Sequence, residues 1–271
     1  MTAETVAPVT EQTTLSSALA AFRTLTLAET VERADLRTRV DRKYLVPVTT
    51  VDGILGELRA THQVLEVNGR LATTYRTTYF DTADFASCRT HIQGRRRRWK
   101  VRSRLYSEDQ FCRVEVKTKD GRGFTVKAAK PTEPERYGTL TGHDEAFVAD
   151  VLNDEQPDLD IAALVATSEI TYVRAALVDV AAGTRLTIDT DLRCTLGGRR
   201  AWLDDDVAVV ETKGGPTPSA VDRLLIRHGA RERSFSKYVA TASLLHPTIP
   251  DNDVRALRGT HLHTDALLHS R

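Results

Sequence analysis

Polar and apolar residues change places one by one through "LATTYRTTYFDT" (71–82), "RRWKVRSRLY" (97–106), "QFCRVEVKTK" (110–119) and "GFTVKAAK" (123–130). That is the period of half-buried strands. "SEITYVRAALVDV" (168–180), "TRLTIDTDLRCTL" (184–196) and "WLDDDVAVVETK" (202–213) continue it, the first two joined by a hairpin turn at Gly183. "TRVDRKYLVP" (38–47) adds an early strand. Helices are predicted near 49–60, where Thr49 or Thr50 can cap, at 143–153, at 158–166, at 217–229 with Pro218 near its start, and from about Ser236. About eight strands with few helices predict an α+β chain built on one eight-stranded antiparallel closed β-barrel with flanking helices. The expected boundaries are a disordered segment at 1–22, the barrel domain at 23–247 and a flexible tail at 248–271.

Alternation also sorts the charges, because successive side chains of a strand point to opposite faces. Lys100, Arg102 and Arg104 share one face of their strand, opposite Trp99, Val101, Ser103 and Leu105. Glu115, Lys117 and Lys119 share another, opposite Val114 and Val116. Lys127 and Arg174 interrupt apolar runs, Arg185 and Asp189 alternate with Leu186 and Ile188, Glu211 pairs with Lys213, and Arg39, Asp41 and Lys43 share a face. One such strand reads as a solvated surface. Seven of them read as the lining of a barrel covered outside by helices. Charges inside a barrel are costly unless paired or bound by a ligand, and an excess of cations calls for a polyanion. The few carboxylates are candidates to hold a divalent metal ion.

The chain has a net charge of only +1, yet seven of the ten residues in "RRRRWKVRSR" (95–104) are basic. The charge is therefore concentrated, with Arg95–Arg98 at the mouth of the expected channel. Nucleic acid is not the expected partner. Aromatics are 6% of residues, and only Trp99 stands among the basic positions as a stacking platform. Three cysteines (Cys88, Cys112, Cys194) form no metal-binding spacing, and no signal peptide or long apolar span is read, so the expected location is cytoplasmic. "HLH" near the end, without a carboxylate or cysteine pattern, reads as tail, and "GGP" (214–216) as a turn and no P-loop. Asp81 and Asp84 read as a strand end and a turn, and His91 as structural.

Taken in order, "RVDRKYLV", "YRTTYFDT", "GRRRRWKVRSRLY", "VEVKTK", "RLTID", "VVETK" and "SFSKY" resemble the catalytic domain of the vacuolar transporter chaperone (VTC) polyphosphate polymerases, within the triphosphate tunnel metalloenzymes. The resemblance runs from about residue 33 to 245. It implies transfer of the terminal phosphate of ATP to a growing polyphosphate chain with Mn2+ or Mg2+. It assigns Lys43, Arg102, Arg104 and Lys237 to catalysis, and Arg39, Lys100, Lys117, Lys119, Lys127, Arg174, Arg185, Lys213 and Ser236 to the phosphates. Glu211, with Glu115, is assigned to the metal. The implied partners are ATP and inorganic polyphosphate or pyrophosphate. Any membrane-protein partner lies outside this chain, which shows neither the sensing domain nor the anchor of the eukaryotic members. The hydrolytic relatives carry Glu-x-Glu-x-Lys where this sequence has Arg39, Asp41 and Lys43, which favours holding a long anion. Inorganic triphosphate or nucleotide hydrolysis is the nearest alternative, and a non-catalytic polyanion-binding module the next.

Overall fold

The computed structural model describes residues 12–33, 40–121, 125–234, 236–252 and 254–265. In chain order these form α1 (Gln12–Ala20), β1 (Thr24–Leu25), α2 (Leu27–Arg33), β2 (Val40–Pro47), α3 (Val48–Leu58), β3 (His62–Leu65), β4 (Ala72–Asp81) and α4 (Ala86–Ile92). There follow β5 (Arg98–Tyr106), β6 (Phe111–Lys119), β7 (Thr125–Thr132), α5 (Gly142–Leu152), β8 (Val165–Asp179) and β9 (Thr184–Leu196). The chain closes with β10 (Arg199–Leu203), β11 (Val207–Gly214), α6 (Ala220–Arg227), α7 (Lys237–Leu245) and β12 (Leu262–Thr264). No described helix is long and apolar enough to cross a membrane.

The strands join in the order β12-β10-β9-β8-β4-β5-β6-β7, with β11 on β9, β2 on β11, β3 on β8 and β1 on β3. The expected closed eight-stranded barrel is not what forms. The α+β class holds, but the sheet is open: among the described residues β7 pairs only with β6, and β2 only with β11. The outer side of β2 is taken instead by an isolated bridge from Tyr44 to Glu232 and by the Arg233 amide, which donates to the Lys43 carbonyl at 2.8 Å. The stretch read as one strand at 202–213 is two, because Asp204, Asp205 and Asp206 break it between β10 and β11. The helix expected at 158–166 is a single 3-10 turn at Ile161–Ala163 running into β8. Helix α3 starts one residue after Pro47, with no capping side chain from Thr49 or Thr50.

The described residues form two compact units. The first holds residues up to Ala72, Arg174–Thr190 and Asp205–Arg233. Its apolar rows, such as Tyr44, Val210 and Ile188 in register across β2, β11 and β9, are buried against Val51, Ile54 and Leu55 of α3 and Val221, Leu224 and Leu225 of α6. The second holds Thr73–Val173, Asp191–Asp204 and the chain from Ser234. There Trp99 and Val101 of β5 and Val114 and Val116 of β6 pack with Val148 and Leu152 of α5. Each fully buried valine of this kind contributes roughly 1.5–3 kcal/mol. Because those rows face the helices, the intervening charged rows must face the other way.

Candidate phosphate-binding faces

In the second unit the charged rows are set by strand register. Lys100, Lys117 and Lys127 stand directly opposite one another across β5, β6 and β7. Like charges so placed destabilise a sheet. The next row places Tyr79, Arg102 and Glu115 side by side, and the one after it Thr77, Arg104 and Arg113. In the other direction Arg98 faces Lys119.

Glu115, only 2% exposed, is the hub. Arg102 reaches its Oε2 with Nη2 at 2.5 Å and Nε at 2.7 Å, and Lys127 reaches Oε1 at 2.8 Å. Arg113 lies 3.3 Å from Oε1 and Arg104 3.6 Å from Oε2. Four cations thus share one carboxylate. Burial alone would raise the Glu115 carboxyl, but Arg102, Arg104 and Lys127 outweigh it and hold it well below the usual carboxylate range. Desolvation, aided by repulsion from Arg102 and Arg104 and opposed by Glu115, pushes the Lys127 ammonium down to about 8.

Aromatic rings complete this face. The Tyr79 hydroxyl accepts from Arg102 Nη1 at 3.0 Å, and Tyr79 stacks on Tyr238 at 4.7 Å. Tyr238 in turn donates to buried Asp81, which also accepts from the Ser87 and Cys88 amides and so fixes the start of α4. Arg104 lies over Tyr75, Arg113 over Tyr106, and Lys237 over Tyr172 at 4.8 Å. Ser236 caps α7 and accepts from Lys100 Nζ at 3.0 Å. Arg113 and these tyrosines are absent from the sequence-based set. Arg113 shares the face of Glu115 by period 2 and was legible there. Tyr106 ends the basic run on β5 and was legible in the same way; Tyr75 and Tyr79 on β4, Tyr172 on β8 and Tyr238 in α7 were not, because they lie away from the basic runs.

The first unit carries a second face. Lys43, Glu211 and Thr187 stand in one row of β2, β11 and β9, and Asp41, Lys213 and Arg185 in the next. Glu211 is approached by Lys213 at 3.4 Å, Lys43 at 3.8 Å and Arg174 at 3.9 Å. Arg174 is anchored to buried Asp189 by Nε at 2.5 Å and Nη2 at 2.6 Å, and Arg185 donates to the Thr30 carbonyl. Arg39 lies outside the described residues. Of the expected positions, Lys43, Arg174, Arg185, Glu211 and Lys213 therefore belong to this face. Lys100, Arg102, Arg104, Glu115, Lys117, Lys119, Lys127, Ser236 and Lys237 belong to the second unit.

The two carboxylates differ as metal ligands. The oxygens of Glu115 are held by cations at hydrogen-bonding distance, which makes it a counter-ion. Glu211 is met by Lys213, Lys43 and Arg174 at 3.4, 3.8 and 3.9 Å, and beside it the buried Thr187 hydroxyl has no hydrogen-bond partner among the described residues. Among the described residues no group of three His, Cys, Asp or Glu is placed to hold a metal. The Glu211 row fits an ion of the magnesium type, bound by one or two carboxylates with substrate oxygens and water completing its shell.

Fold and charged faces define the class first: an α+β protein built on a large, mainly antiparallel sheet that carries rows of cations with a few carboxylates among them. Residues 38–246 match the VTC domain model, and the chain belongs to the VTC domain family. HpAC1 from Hippeastrum, described as an adenylyl cyclase with a dominant triphosphatase activity, is 17% identical and aligns over 76% of this chain and 96% of its own, with a TM-score of 0.50. Proteins named as candidate adenylate cyclases from Bacillus halodurans (16% identity, 71% of this chain and 87% of that one, TM-score 0.41) and Vibrio parahaemolyticus (14%, 76% and 99%, 0.44) are also similar. Among the curated proteins nothing matches.

Proposed function

We propose that the protein is a polyphosphate polymerase that moves the terminal phosphoryl group of ATP to a polyphosphate chain. The observation that carries this reading is the lysine row Lys100–Lys117–Lys127 beside Arg102, Arg104 and Arg113, with Glu115 as the carboxylate among them. Such a face gains most from a ligand that is itself a string of negative charges. Membership of the VTC domain family supports this reading.

Phosphoryl transfer asks little covalent chemistry of a protein and much positioning and charge neutralisation. An oxygen of the acceptor's terminal phosphate attacks the γ-phosphorus of ATP. The bond to the β,γ-bridging oxygen breaks, and ADP leaves. The attacking oxygen is already anionic, so no general base is needed. Arg102 and Arg104 clamp equatorial oxygens, and the lysines act as point charges. On the face of the first unit, Glu211 with Thr187 beside it would hold Mn2+ or Mg2+, and the ion would neutralise phosphate charge there. Lys237, over the Tyr172 ring, adds a cation to the face of the second unit, and Lys43 adds one beside Glu211 on the face of the first.

A second reading, hydrolysis of the triphosphate by water at the same face, is favoured by the triphosphatase activity described for HpAC1. Incubation with ATP and Mn2+, with products separated on a gel, tests both. Long chains support the polymerase. Orthophosphate without chains replaces it with the hydrolase, and unchanged ATP leaves only a polyanion binder.

A further inference from the structure

Beyond the lysine row, the second unit continues in arginine. Helix α4 ends before Gly94, whose φ of +65° turns the chain out. The next residues, Arg95, Arg96 and Arg97, are exposed, and they lead directly into Arg98 of β5 opposite Lys119 of β6. Arg95 touches Gln93, Arg97 lies 3.7 Å from Glu155, and Arg96 makes no hydrogen bond or ion pair with a described residue. Repulsion among neighbouring guanidiniums favours dispersal, and Glu155 is a carboxylate that meets this run.

The register makes the run an extension of the phosphate-binding face. Arg104–Arg113, Arg102–Glu115, Lys100–Lys117 and Arg98–Lys119 are successive same-face rows along β5 and β6. Each step advances two residues per strand, so the four rows span roughly 20 Å. The triphosphate of a nucleotide is too short to engage them all. We propose that Arg95, Arg96 and Arg97 form a surface track for the distal part of a long inorganic polyphosphate chain, continuous with the β5–β6 rows and unused by a bound triphosphate. This rests on the polyphosphate reading above. The chemistry favours polyphosphate over single-stranded nucleic acid, because the one aromatic in the run, Trp99, is 3% exposed and packed in the core, leaving bases nothing there to stack on.

The test compares the full chain with the triple variant Arg95→Ala, Arg96→Ala, Arg97→Ala, and with the three positions changed to lysine. Binding of tripolyphosphate, long-chain polyphosphate and a single-stranded oligonucleotide is measured against salt. The alanine variant is expected to lose tenfold or more in affinity for the long chain, and its log–log salt slope to fall by about 2 for three lost phosphate contacts. Its tripolyphosphate affinity stays within twofold, and the lysine variant retains long-chain binding. Equal losses for both polyphosphates, or none for the long one, would overturn the track. So would an oligonucleotide that binds the wild type as tightly as long polyphosphate and is lost with the arginines. The ATP incubation is read separately. Chain-length-dependent loss in a protein that makes no polymer leaves the track standing and removes the polymerase. A polymerising protein whose long-chain binding ignores the arginines does the reverse.

Discussion

At the scale of the residue, Glu115 decides how much charge the second unit can carry. Exchange for Gln leaves buried Arg104 and half-buried Arg102 without their counter-ion. Breaking a buried ion pair from one side costs about 3–5 kcal/mol. Glu115→Gln is therefore expected to melt well below the wild type, and tripolyphosphate to restore more of that loss than it adds to the wild type. Equal melting temperatures without ligand would refute the hub. Lys127 sets a pH limit. Its free-state pKa near 8 lies below the ordinary lysine value, so the ammonium is present below pH 8 and is lost above it. A bound polyanion favours the charged form. Tripolyphosphate affinity should fall as pH rises through 8, and Lys127→Arg should flatten that profile; a flat wild-type profile would contradict the assignment.

At the scale of the element, Asp222 ties α6 to the sheet of the first unit. Its Oδ1 accepts from the Tyr44 hydroxyl at 3.0 Å and the Thr212 hydroxyl at 2.5 Å, and its Oδ2 from the Ser219 amide at 2.6 Å, in a capping box. Burial would raise its carboxyl, but the bonds from Thr212 and Ser219 outweigh burial and lower it. The stability this brings is present above the unfolded carboxylate value, near 4, and is lost as pH falls through the lower folded one. Asp222→Ala should cost about 3 kcal/mol and remove that acid-limb dependence in chemical denaturation. The strands were legible because period 2 survives in a sheet buried on one side, and β5 and β6 fall within a residue or two of their expected bounds. Closure was not legible. Alternation says which residues share a face, but nothing in β7 or β2 says whether their edges meet, and the partner of β2 at Glu232 comes from a loop. Helix α4 was missed for a related reason: its start is fixed by Asp81, a strand residue, and not by a local cap.

At the scale of the molecule, a nearly neutral chain sets rows of cations on two faces, and each face has its own carboxylate logic. Glu211→Gln should leave metal-free tripolyphosphate binding equal or tighter, since one repulsive charge is gone, while the manganese-dependent rate collapses. A normal rate with an unchanged manganese titration would reduce Glu211 to a tether for Lys213. The open side of β7 has a consequence of another kind. An unpaired strand edge is a template for intermolecular pairing, and charge and proline are what natural sheets place there against it. On β7 those guards are Lys127, Lys130 and Pro131, with Val126 57% exposed beside them. The lysine proposed to meet the ligand is therefore also expected to keep one molecule from adding its sheet to the next. Lys127→Ala, or ligand-free protein held above pH 8, should scatter light and sediment faster at high concentration. Polyphosphate, by keeping Lys127 charged, should act on the wild type as a solubiliser.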